Sequence, residues 1–259
     1  MAKVRLDSLL AERGLFESRS RAAAAVMAGE VRVASRAVVK PGQLVDPSVE
    51  VVVAAAPAYV SRGGVKLANA LDALGLSVAG RDALDVGAST GGFTDCLLQR
   101  GASRVIALDV AYGELDYRLR QDARVTVIER TNARSVDSLP FTPSLIVIDV
   151  SFISLTKVLP AVVALAAPEF DCLAMVKPQF EVGRERVGKG GVVRDPALRR
   201  SAVAGVAACG ASLGSSVMGF AASGLPGPAG NLETFAWLAE GSRAGAVDDV
   251  AAAVEAAGA

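Results

Sequence analysis

Histidine is absent from this chain of 259 residues, and cysteine and aromatic residues are scarce. Without histidine the sequence lacks the usual general base, the commonest metal ligand and the centre of a Ser-His-Asp triad. Cys96, Cys172 and Cys209 lie far apart and form no C-x-x-C pair, so we expect neither a disulfide nor a zinc site. Chemistry in this chain must therefore depend on Lys, Asp, Glu, Ser or Tyr side chains.

Long apolar runs are also missing. No stretch of about eighteen apolar residues without charge occurs, and the opening MAKVRLDSLL has no apolar segment behind its basic residues. Apolar residues nevertheless make up 52% of the chain, which is ample for a buried core. The sequence predicts a cytoplasmic protein with no membrane partner.

Net charge is zero, but the charges are unevenly distributed. Residues 1–66 contain ten Lys or Arg and six acidic residues, which predicts one basic side on the molecule. Aromatic residues are only 5% of the chain and do not alternate with basic ones. We therefore expect Phe93, Tyr112 and Trp237 to form core or pocket walls rather than platforms for stacked bases.

The N-terminal residues have the pattern of a small α+β domain. Leu6, Leu9 and Leu10 share one helical face, and a second helix is expected to open at Ser18 and end at Gly29. Short β-branched runs over 31–40 and 49–53 predict a hairpin and a further strand. We predict one domain over 1–56 and a linker over 57–61.

From residue 62 to residue 259 the pattern changes to alternating strands and helices. This alternation is typical of an α/β fold with a mostly parallel sheet covered on both faces. Helices are predicted at 65–76, 91–100, 113–121, 155–167 and 195–213, with a last one from about 246. Seven strands are predicted at 83–87, 104–109, 124–128, 144–149, 171–176, 216–221 and 233–239.

A glycine-rich segment follows the first of these strands and opens a helix. It contains Asp85, Gly87, Ser89, Thr90, Gly91, Gly92 and Phe93. Small residues there let a ligand approach the helix N-terminus. Asp109 lies twenty-two positions after Gly87, at the end of the next strand, where a carboxylate can accept ribose hydroxyls. Together these features indicate a cofactor that contains adenosine.

Other chemistries compete for the same loop. A Walker loop needs Gly-Lys-Ser/Thr where this chain has Gly-Gly-Phe, so binding of a nucleoside triphosphate is disfavoured. Gly87 to Gly91 matches the G-x-S-x-G nucleophile elbow, yet no histidine is available to serve it. A dinucleotide fold stays possible, although Asp85, two residues before the first glycine, suits a ligand with a cationic end better.

Four charged residues are expected where the carboxyl ends of the strands meet, or on the helix before them: Lys66, Asp149, Lys177 and Glu233. Ligands of open parallel sheets bind at such ends. Repulsion between two lysines favours the neutral form of one, while Asp149 can hold the other as a cation. This arrangement could take a proton from a hydroxyl group without histidine.

Several motifs carry a resemblance to a known family. The chain resembles the TlyA family of ribosomal RNA 2′-O-methyltransferases, sometimes labelled haemolysins. Its N-terminal part is similar to an RNA-binding domain named after a small-subunit ribosomal protein, through Arg5-Leu-Asp, Ser18-Arg-Ser-Arg-Ala-Ala, Gly29-Glu-Val-Arg-Val and Lys40-Pro-Gly. The rest resembles FtsJ-type methyltransferases through the segments starting at Val60, Asp85, Glu129, Asp149, Val176 and Gly230.

The resemblance implies a Rossmann-like, seven-stranded methyltransferase sheet and the cofactor S-adenosylmethionine, with no metal. It implies a catalytic tetrad of Lys66, Asp149, Lys177 and Glu233, with Lys177 as general base. Asn132 would lie near the adenine, and Asp85, Asp149, Asp109 and the glycine-rich segment would complete the cofactor site. The implied partner is ribosomal RNA, methylated on a ribose, expected to be that of a cytidine. We assign RNA contacts to Arg5, Arg19, Arg21, Arg36, Lys40, Arg62, Arg184, Arg186 and Lys189.

Two other classes of function remain open at this point. A nicotinamide-dependent or small-molecule enzyme with an accessory RNA-binding domain would also use a glycine-rich loop and a ribose-binding carboxylate. A membrane-active haemolysin is suggested by the family label, but the chain has no apolar span and no basic amphipathic helix.

Overall fold

The computed structural model describes residues 2–27, 29–34, 36–37, 40–53, 57–241 and 243–258. The chain divides into two compact units, Met1–Pro57 and Ala58–Ala259. The division falls close to the predicted linker, while residues 54–56, at the end of the predicted small domain, lie outside the described residues.

The N-terminal unit is a small α+β structure. Its elements are β1 (Val4–Arg5), α1 (Leu6–Glu12), α2 (Arg19–Met27), β2 (Val31–Val33), β3 (Arg36–Ala37), β4 (Leu44–Val45) and β5 (Val51–Val53). Leu6, Leu10 and Val26 are fully buried between the two helices and the sheet β3-β2-β5. Both predicted helices are present, whereas the pairing of β1 with β4 was not expected from the sequence.

The larger unit is an α/β structure built on one seven-stranded sheet. Its strands are β6 (Asp82–Val86), β7 (Arg104–Leu108), β8 (Val125–Ile128), β9 (Leu145–Ile148), β10 (Asp171–Val176), β11 (Ser216–Ala222) and β12 (Thr234–Ala239). Its α-helices are α3 (Arg62–Leu74), α4 (Gly92–Gln99), α5 (Tyr117–Gln121), α6 (Leu159–Val163), α7 (Pro178–Glu181), α8 (Pro196–Ser212) and α9 (Val250–Ala256). The predicted fold class and the seven strands are confirmed.

The order of the strands determines which residues meet at one edge. It is β11-β12-β10-β9-β6-β7-β8, with β12 antiparallel to both of its neighbours. Because β12 runs against β10, it begins where β10 ends, and Thr234 pairs with Val176. The carboxyl ends of β6, β9 and β10 and the start of β12 therefore lie together. Apolar side chains cover both faces of the sheet in two separate clusters.

Three predicted helices are shorter in the structure than the sequence pattern suggests. The last one begins at Val250, after the Asp249 cap, rather than at about residue 246. The helix expected over 155–167 is a 3-10 turn, Leu155–Lys157, followed by α6. Pro160 in the first turn of α6 has no N–H and cannot continue a helix that begins before it. The helix expected from residue 113 begins at Tyr117, where the Asp116 side chain accepts a hydrogen bond from the Arg118 N–H and caps it.

The longest helix within the described part of the chain is α8, with 17 residues. Across those same residues, no helix combines the length and the apolar character needed to cross a membrane.

Candidate active site

The glycine-rich loop leaves β6 at its carboxyl end and wraps around the start of α4. Gly87 has a φ of 85°, and a Cβ placed there would lie 2.5 Å from the Asp149 carbonyl oxygen. Gly91, with a φ of 94°, is the residue before α4. Only glycine allows the backbone to pass this close to β9 in this left-handed conformation. The loop therefore leaves the N-terminal N–H groups of α4 facing the edge of the sheet.

Two cavities adjoin at this edge. The smaller has a volume of about 470 Å³ and is lined by Gly87, Ser89, Asp109, Asn132 and Asp149, among others. The larger has a volume of about 1070 Å³, and its lining includes Lys66, Gly87, Ser89, Thr90, Gly92, Phe93, Asp149, Lys177 and Glu233. Gly87, Ser89 and Asp149 belong to both walls. The structure thus brings together eleven of the residues that the sequence indicated for catalysis or cofactor binding.

Asp109 and Asn132 both fix the backbone around the smaller cavity. The Asp109 carboxylate accepts hydrogen bonds from the N–H groups of Ser89 and Ala111, each at 2.7 Å. The Asn132 side-chain oxygen accepts from the Arg134 N–H at 3.0 Å. Ser89 has a φ of 47°, an uncommon conformation for a residue with a side chain, and its bond to Asp109 helps to hold it. The shape of the smaller cavity is therefore set before any ligand binds.

Asp85 is completely buried in β6. Neither Asp85 nor Gly91, both predicted to bind the cofactor, lines either cavity. Asp85 Oδ2 accepts a 2.7 Å hydrogen bond from the Thr94 hydroxyl, while its Oδ1 has no hydrogen-bond partner among the described residues. Burial raises the pKa of Asp85 to about 7, and the nearby Asp149 carboxylate adds to the increase. A buried carboxylate oxygen without a partner is costly unless a ligand or a proton satisfies it.

Lys177 and Asp149 form an ion pair at the carboxyl ends of β10 and β9. Lys177 Nζ lies 2.5 Å from Asp149 Oδ1 and donates a 2.8 Å hydrogen bond to the Ser151 hydroxyl. This contact with Asp149 is an ion pair, and Oδ1 has no hydrogen-bond partner among the described residues. The pair is partly open to the larger cavity, with the Asp149 side chain 25% exposed.

Lys66 and Glu233 form a second, deeper ion pair. Lys66 Nζ, on α3, lies 2.5 Å from Glu233 Oε2, immediately before β12. Their side chains are 8% and 1% exposed. From the sequence we expected Asp149 to hold one of the two lysines as a cation. In the structure Asp149 contacts Lys177, while the antiparallel β12 brings Glu233 to Lys66.

Four of the basic residues predicted to contact RNA lie in the larger unit. Arg62 and Arg184 line the larger cavity, and the Arg62 guanidinium donates to the Pro226 carbonyl. Arg186 and Lys189 are exposed on the segment that follows α7. The end of this segment is fixed, because the Asn231 amide donates to the Gly191 carbonyl at 2.8 Å and accepts from the Val193 N–H at 2.9 Å.

The other five lie in the N-terminal unit. Arg5 and Arg19 converge on the buried Asp7 carboxylate, with contacts of 2.7 Å and 3.2 Å. The hydrogen bond from Arg5 is the main reason why the pKa of Asp7 falls to about 2. Arg21 and Lys40 are exposed. The side chain of Arg36 lies outside the described residues.

Phe152 is a feature that the sequence analysis missed. Its ring is 92% exposed, although the residue lines both cavities. Its φ of 64° places it in the left-handed region, which is rare for a bulky residue. The ring centroid lies 5.3 Å from that of Phe180, at the wall of the larger cavity. An aromatic ring held in a strained conformation beside an ion pair indicates a functional role, and only the position of Phe152 three residues after Asp149 hinted at it.

Comparisons with known proteins agree with this geometry. Residues 59–240 match the FtsJ-like methyltransferase family, and residues 4–51 match the S4 domain. The chain is 50% identical over 240 residues to the 16S/23S rRNA (cytidine-2'-O)-methyltransferase TlyA of Mycobacterium tuberculosis, covering 91% of this chain and 90% of the relative. It is 44% identical to Hemolysin A of Brachyspira hyodysenteriae over 200 residues, which are 76% of this chain and 83% of that protein.

A solved structure of a protein described as a hemolysin, from Streptococcus thermophilus, superposes with a TM-score of 0.74. It is 39% identical, and the alignment covers 100% of this chain and 96% of that one. The family resemblance that the sequence motifs indicated is confirmed by these matches. The chain belongs to the TlyA family of FtsJ-like methyltransferases and carries an S4 domain at its N-terminus.

Proposed function

We propose that this protein transfers a methyl group from S-adenosylmethionine to the 2′-hydroxyl of a cytidine ribose in ribosomal RNA, in the cytoplasm. The observation that carries the proposal is the pair of lysine-carboxylate contacts in one cavity that adjoins the glycine-rich loop. The M. tuberculosis relative, whose name specifies a cytidine 2′-O-methyltransferase of 16S and 23S rRNA, supports the choice of substrate. The large subunit, and also the small one, are therefore the candidate substrates.

The smaller cavity fits S-adenosylmethionine. Gly87 lets the loop pass close to the Asp149 backbone at this wall, and Ser89, Asp109 and Asn132 present polar groups along it. Asp85 lines neither cavity, but its unpartnered oxygen suits a ligand with a cationic amino group, which a pyrophosphate-containing dinucleotide lacks. We assign the cofactor to Asp85, Asp109, Asn132, Asp149 and the loop from Gly87 to Phe93. When bound there, S-adenosylmethionine supplies an electrophilic methyl group.

The larger cavity supplies the proton chemistry. Lys177 reaches into it from the end of β10. As a neutral amine it would accept the proton of the 2′-hydroxyl while that oxygen bonds to the methyl carbon and the bond from that carbon to sulfur breaks. Asp149 and the Ser151 hydroxyl orient the amine. The buried pair of Lys66 and Glu233 holds α3 and β12 at fixed positions on the opposite wall. These side chains can carry the reaction without a metal ion.

The basic and aromatic residues around the larger cavity would hold the target nucleotide. Phe152 and Phe180 offer an apolar surface on which a base taken out of its stack can lie. Arg62 and Arg184 at the wall are placed to contact phosphates. Arg186 and Lys189 would extend this contact. In the S4 domain, which we assign to RNA binding over residues 1–56, Arg5, Arg19, Arg21, Arg36 and Lys40 would bind structured RNA.

Labelling of ribosomal subunits tests the proposal. The protein would be incubated with S-adenosylmethionine labelled in the methyl group and with separated small and large subunits, and the label would then be mapped by primer extension at limiting nucleotide. We expect label on the ribose of a cytidine. Tight binding of the cofactor without transfer to either subunit, or to free ribosomal RNA, would contradict the RNA substrate and leave the methyltransferase family in place.

A further inference from the structure

One partly buried carboxylate beside the active site has no part in the chemistry proposed above. Glu181, the last residue of α7, lies four positions after Lys177. Its Oε2 accepts a 2.6 Å hydrogen bond from the Ser154 hydroxyl, and its Oε1 accepts a 2.8 Å hydrogen bond from the Leu155 N–H. Both carboxylate oxygens are therefore used to join the segment after β10 to the loop after β9.

The loop that Glu181 holds is the one that carries Phe152. Leu155 is buried and begins the 3-10 turn, and Ser154 caps that turn with its hydroxyl. Phe152 lies two residues before Ser154, and Phe180 lies one residue before Glu181. The two hydrogen bonds thus cross between the same two chain segments that present the tilted pair of rings.

The conformation of this loop needs such support. A non-glycine residue in the left-handed region costs about 1–3 kcal/mol and persists only where the surrounding structure determines it. The Phe152 side chain contributes little to holding this conformation, since it is 92% exposed. Burial raises the pKa of the Glu181 carboxyl, so this group is also kept in a place that disfavours its charge. Packing alone would not favour a carboxylate here, whereas two hydrogen bonds to the loop do.

We propose that Glu181 is a positioning residue for the target nucleotide: it fixes the loop from Ser151 to Leu155 so that Phe152 stands against Phe180 at the cavity wall. The inference rests on the proposed function, because it is the RNA base that would use the two rings. Glu181 acts through the loop and touches neither cofactor nor substrate.

Two substitutions at Glu181 separate its geometry from its charge. In Glu181→Gln the amide oxygen can still accept from the Leu155 N–H, and the amide nitrogen can donate to the Ser154 hydroxyl. In Glu181→Ala both bonds are lost. We expect Glu181→Gln to methylate RNA within about twofold of the unaltered protein, and Glu181→Ala to lose roughly ten- to a hundredfold, because misplacement by about 1 Å has effects of that size. Affinity for S-adenosylmethionine should stay within about twofold in both variants.

A double-mutant cycle with Phe152→Ala tests whether Glu181 acts through the ring. If it does, adding Glu181→Ala to Phe152→Ala lowers the methylation rate little further. Losses that multiply would mean that Glu181 acts elsewhere and would overturn the proposal. Ser154→Ala, which removes one of the two bonds and leaves Glu181 intact, gives a milder variant if Glu181→Ala folds poorly, and the same non-additivity with Phe152→Ala is expected.

Hydrogen exchange separates a failure of this proposal from a failure of the proposed function. Without any RNA, the amides from Phe152 to Leu155 should exchange faster in Glu181→Ala than in Glu181→Gln or in the unaltered protein. Equal exchange rates in all three would reject the positioning role. Absence of methyl transfer by the unaltered protein, with the exchange difference present, would reject the RNA substrate and keep the positioning of the loop.

Discussion

The two lysine-carboxylate pairs at the edge of the sheet have the same contact distance but different surroundings. Lys66 and Glu233 are 8% and 1% exposed, and Lys177 and Asp149 are 12% and 25% exposed. A buried pair of charges is costly to form and also costly to break. In a pair that opens to a cavity, either charged group can contact a ligand instead of its partner. The comparison shows that two lysine-carboxylate pairs in one site can have different roles. The buried pair stabilises the positions of α3 and β12, and the more open pair faces the substrate.

Topology explains why the pairs differ. Lys177 and Asp149 follow neighbouring parallel strands, so both stand at the open edge where ligands bind. Glu233 precedes an antiparallel strand, and Lys66 lies on α3, which packs against β11, a neighbour of that strand. The tests below start with the two pairs and then extend to Phe152, the buried Asp85 and the exposed arginines around Asp7.

Removal of Lys177 should have the largest effect on activity. We expect Lys177→Ala to lower the rate of methyl transfer by about 10²–10⁴, the usual contribution of a general base. Affinity for S-adenosylmethionine and the free energy of unfolding should change little, because the Asp149 carboxylate is partly open to the larger cavity and water can solvate it. Calorimetry and urea denaturation check these two quantities, and a variant that transfers methyl groups at the normal rate would refute the assignment of Lys177.

Removal of Lys66 should have the largest effect on stability. Lys66→Ala leaves Glu233 buried without its partner, which should lower the free energy of unfolding by about 3–5 kcal/mol. The double variant Lys66→Met, Glu233→Leu removes both charges and should recover most of that loss in urea denaturation. Its methyl transfer should remain impaired. A single variant as stable as the unaltered protein would show that this pair does not hold the frame.

Loss of the exposed ring should weaken RNA binding without affecting stability. Stacking of a base on an aromatic ring is worth about 1–3 kcal/mol, so Phe152→Ala should raise the KM for RNA by roughly fivefold to a hundredfold. The melting temperature should not fall, because the ring is 92% exposed. Tyr117→Ala, which removes another exposed ring outside both cavity walls, serves as the control. Equal KM values for the two variants would remove Phe152 from the substrate site.

Asp85 should make cofactor binding depend on pH. Its pKa is raised to about 7, so the folded protein binds this proton more tightly than the unfolded chain. The contribution of this proton to the free energy of unfolding is fully present below about pH 4 and is lost as the pH rises through about 7. A cationic cofactor favours the ionised form, so its affinity should increase from about pH 5.5 to 8. Calorimetry should find this increase, and Asp85→Asn should abolish it; the same increase in Asp85→Asn would exclude Asp85 as its cause.

The smallest effect is expected in the S4 domain, where the charges are most exposed. Arg19→Ala should weaken RNA binding less than tenfold and reduce the slope of log K against log salt by about 1. Arg32→Ala, an exposed arginine on β2 outside the predicted RNA-binding set, is the matched control. Identical salt slopes for both variants would indicate that the Arg19 held by Asp7 does not contact phosphate.

Much of the fold could be predicted because its signals are local. The strand over 171–176 lies where the sequence places it, since it is a continuous apolar run ended by Lys177 and Pro178. The glycine-rich loop and the strand-end charges followed from the same reasoning. Pairing of β1 with β4 was not predicted, because strands of two residues are too short to have a recognisable period.

Features of the site that depend on long-range contacts could not be predicted. Which carboxylate meets which lysine depends on the direction of β12 relative to β10, and no residue near Glu233 encodes it. The left-handed conformation of Phe152 depends on contacts made by the loop that follows it, including the bonds from Ser154 and Leu155 to Glu181. Sequence patterns indicate residue types and their spacing. These features depend instead on contacts between residues about 26 or more positions apart in the sequence.

The central claim is that Lys177 accepts a proton rather than merely providing a positive charge, and Lys177→Arg tests it most directly. Arginine keeps a cation beside Asp149 but does not give up its proton at any usable pH. The measurement is a single-turnover rate with S-adenosylmethionine and ribosomal subunits both saturating. The account predicts transfer close to that of Lys177→Ala, with cofactor and RNA affinities retained. Transfer near the rate of the unaltered protein would contradict it, and would assign Lys177 an electrostatic role alone.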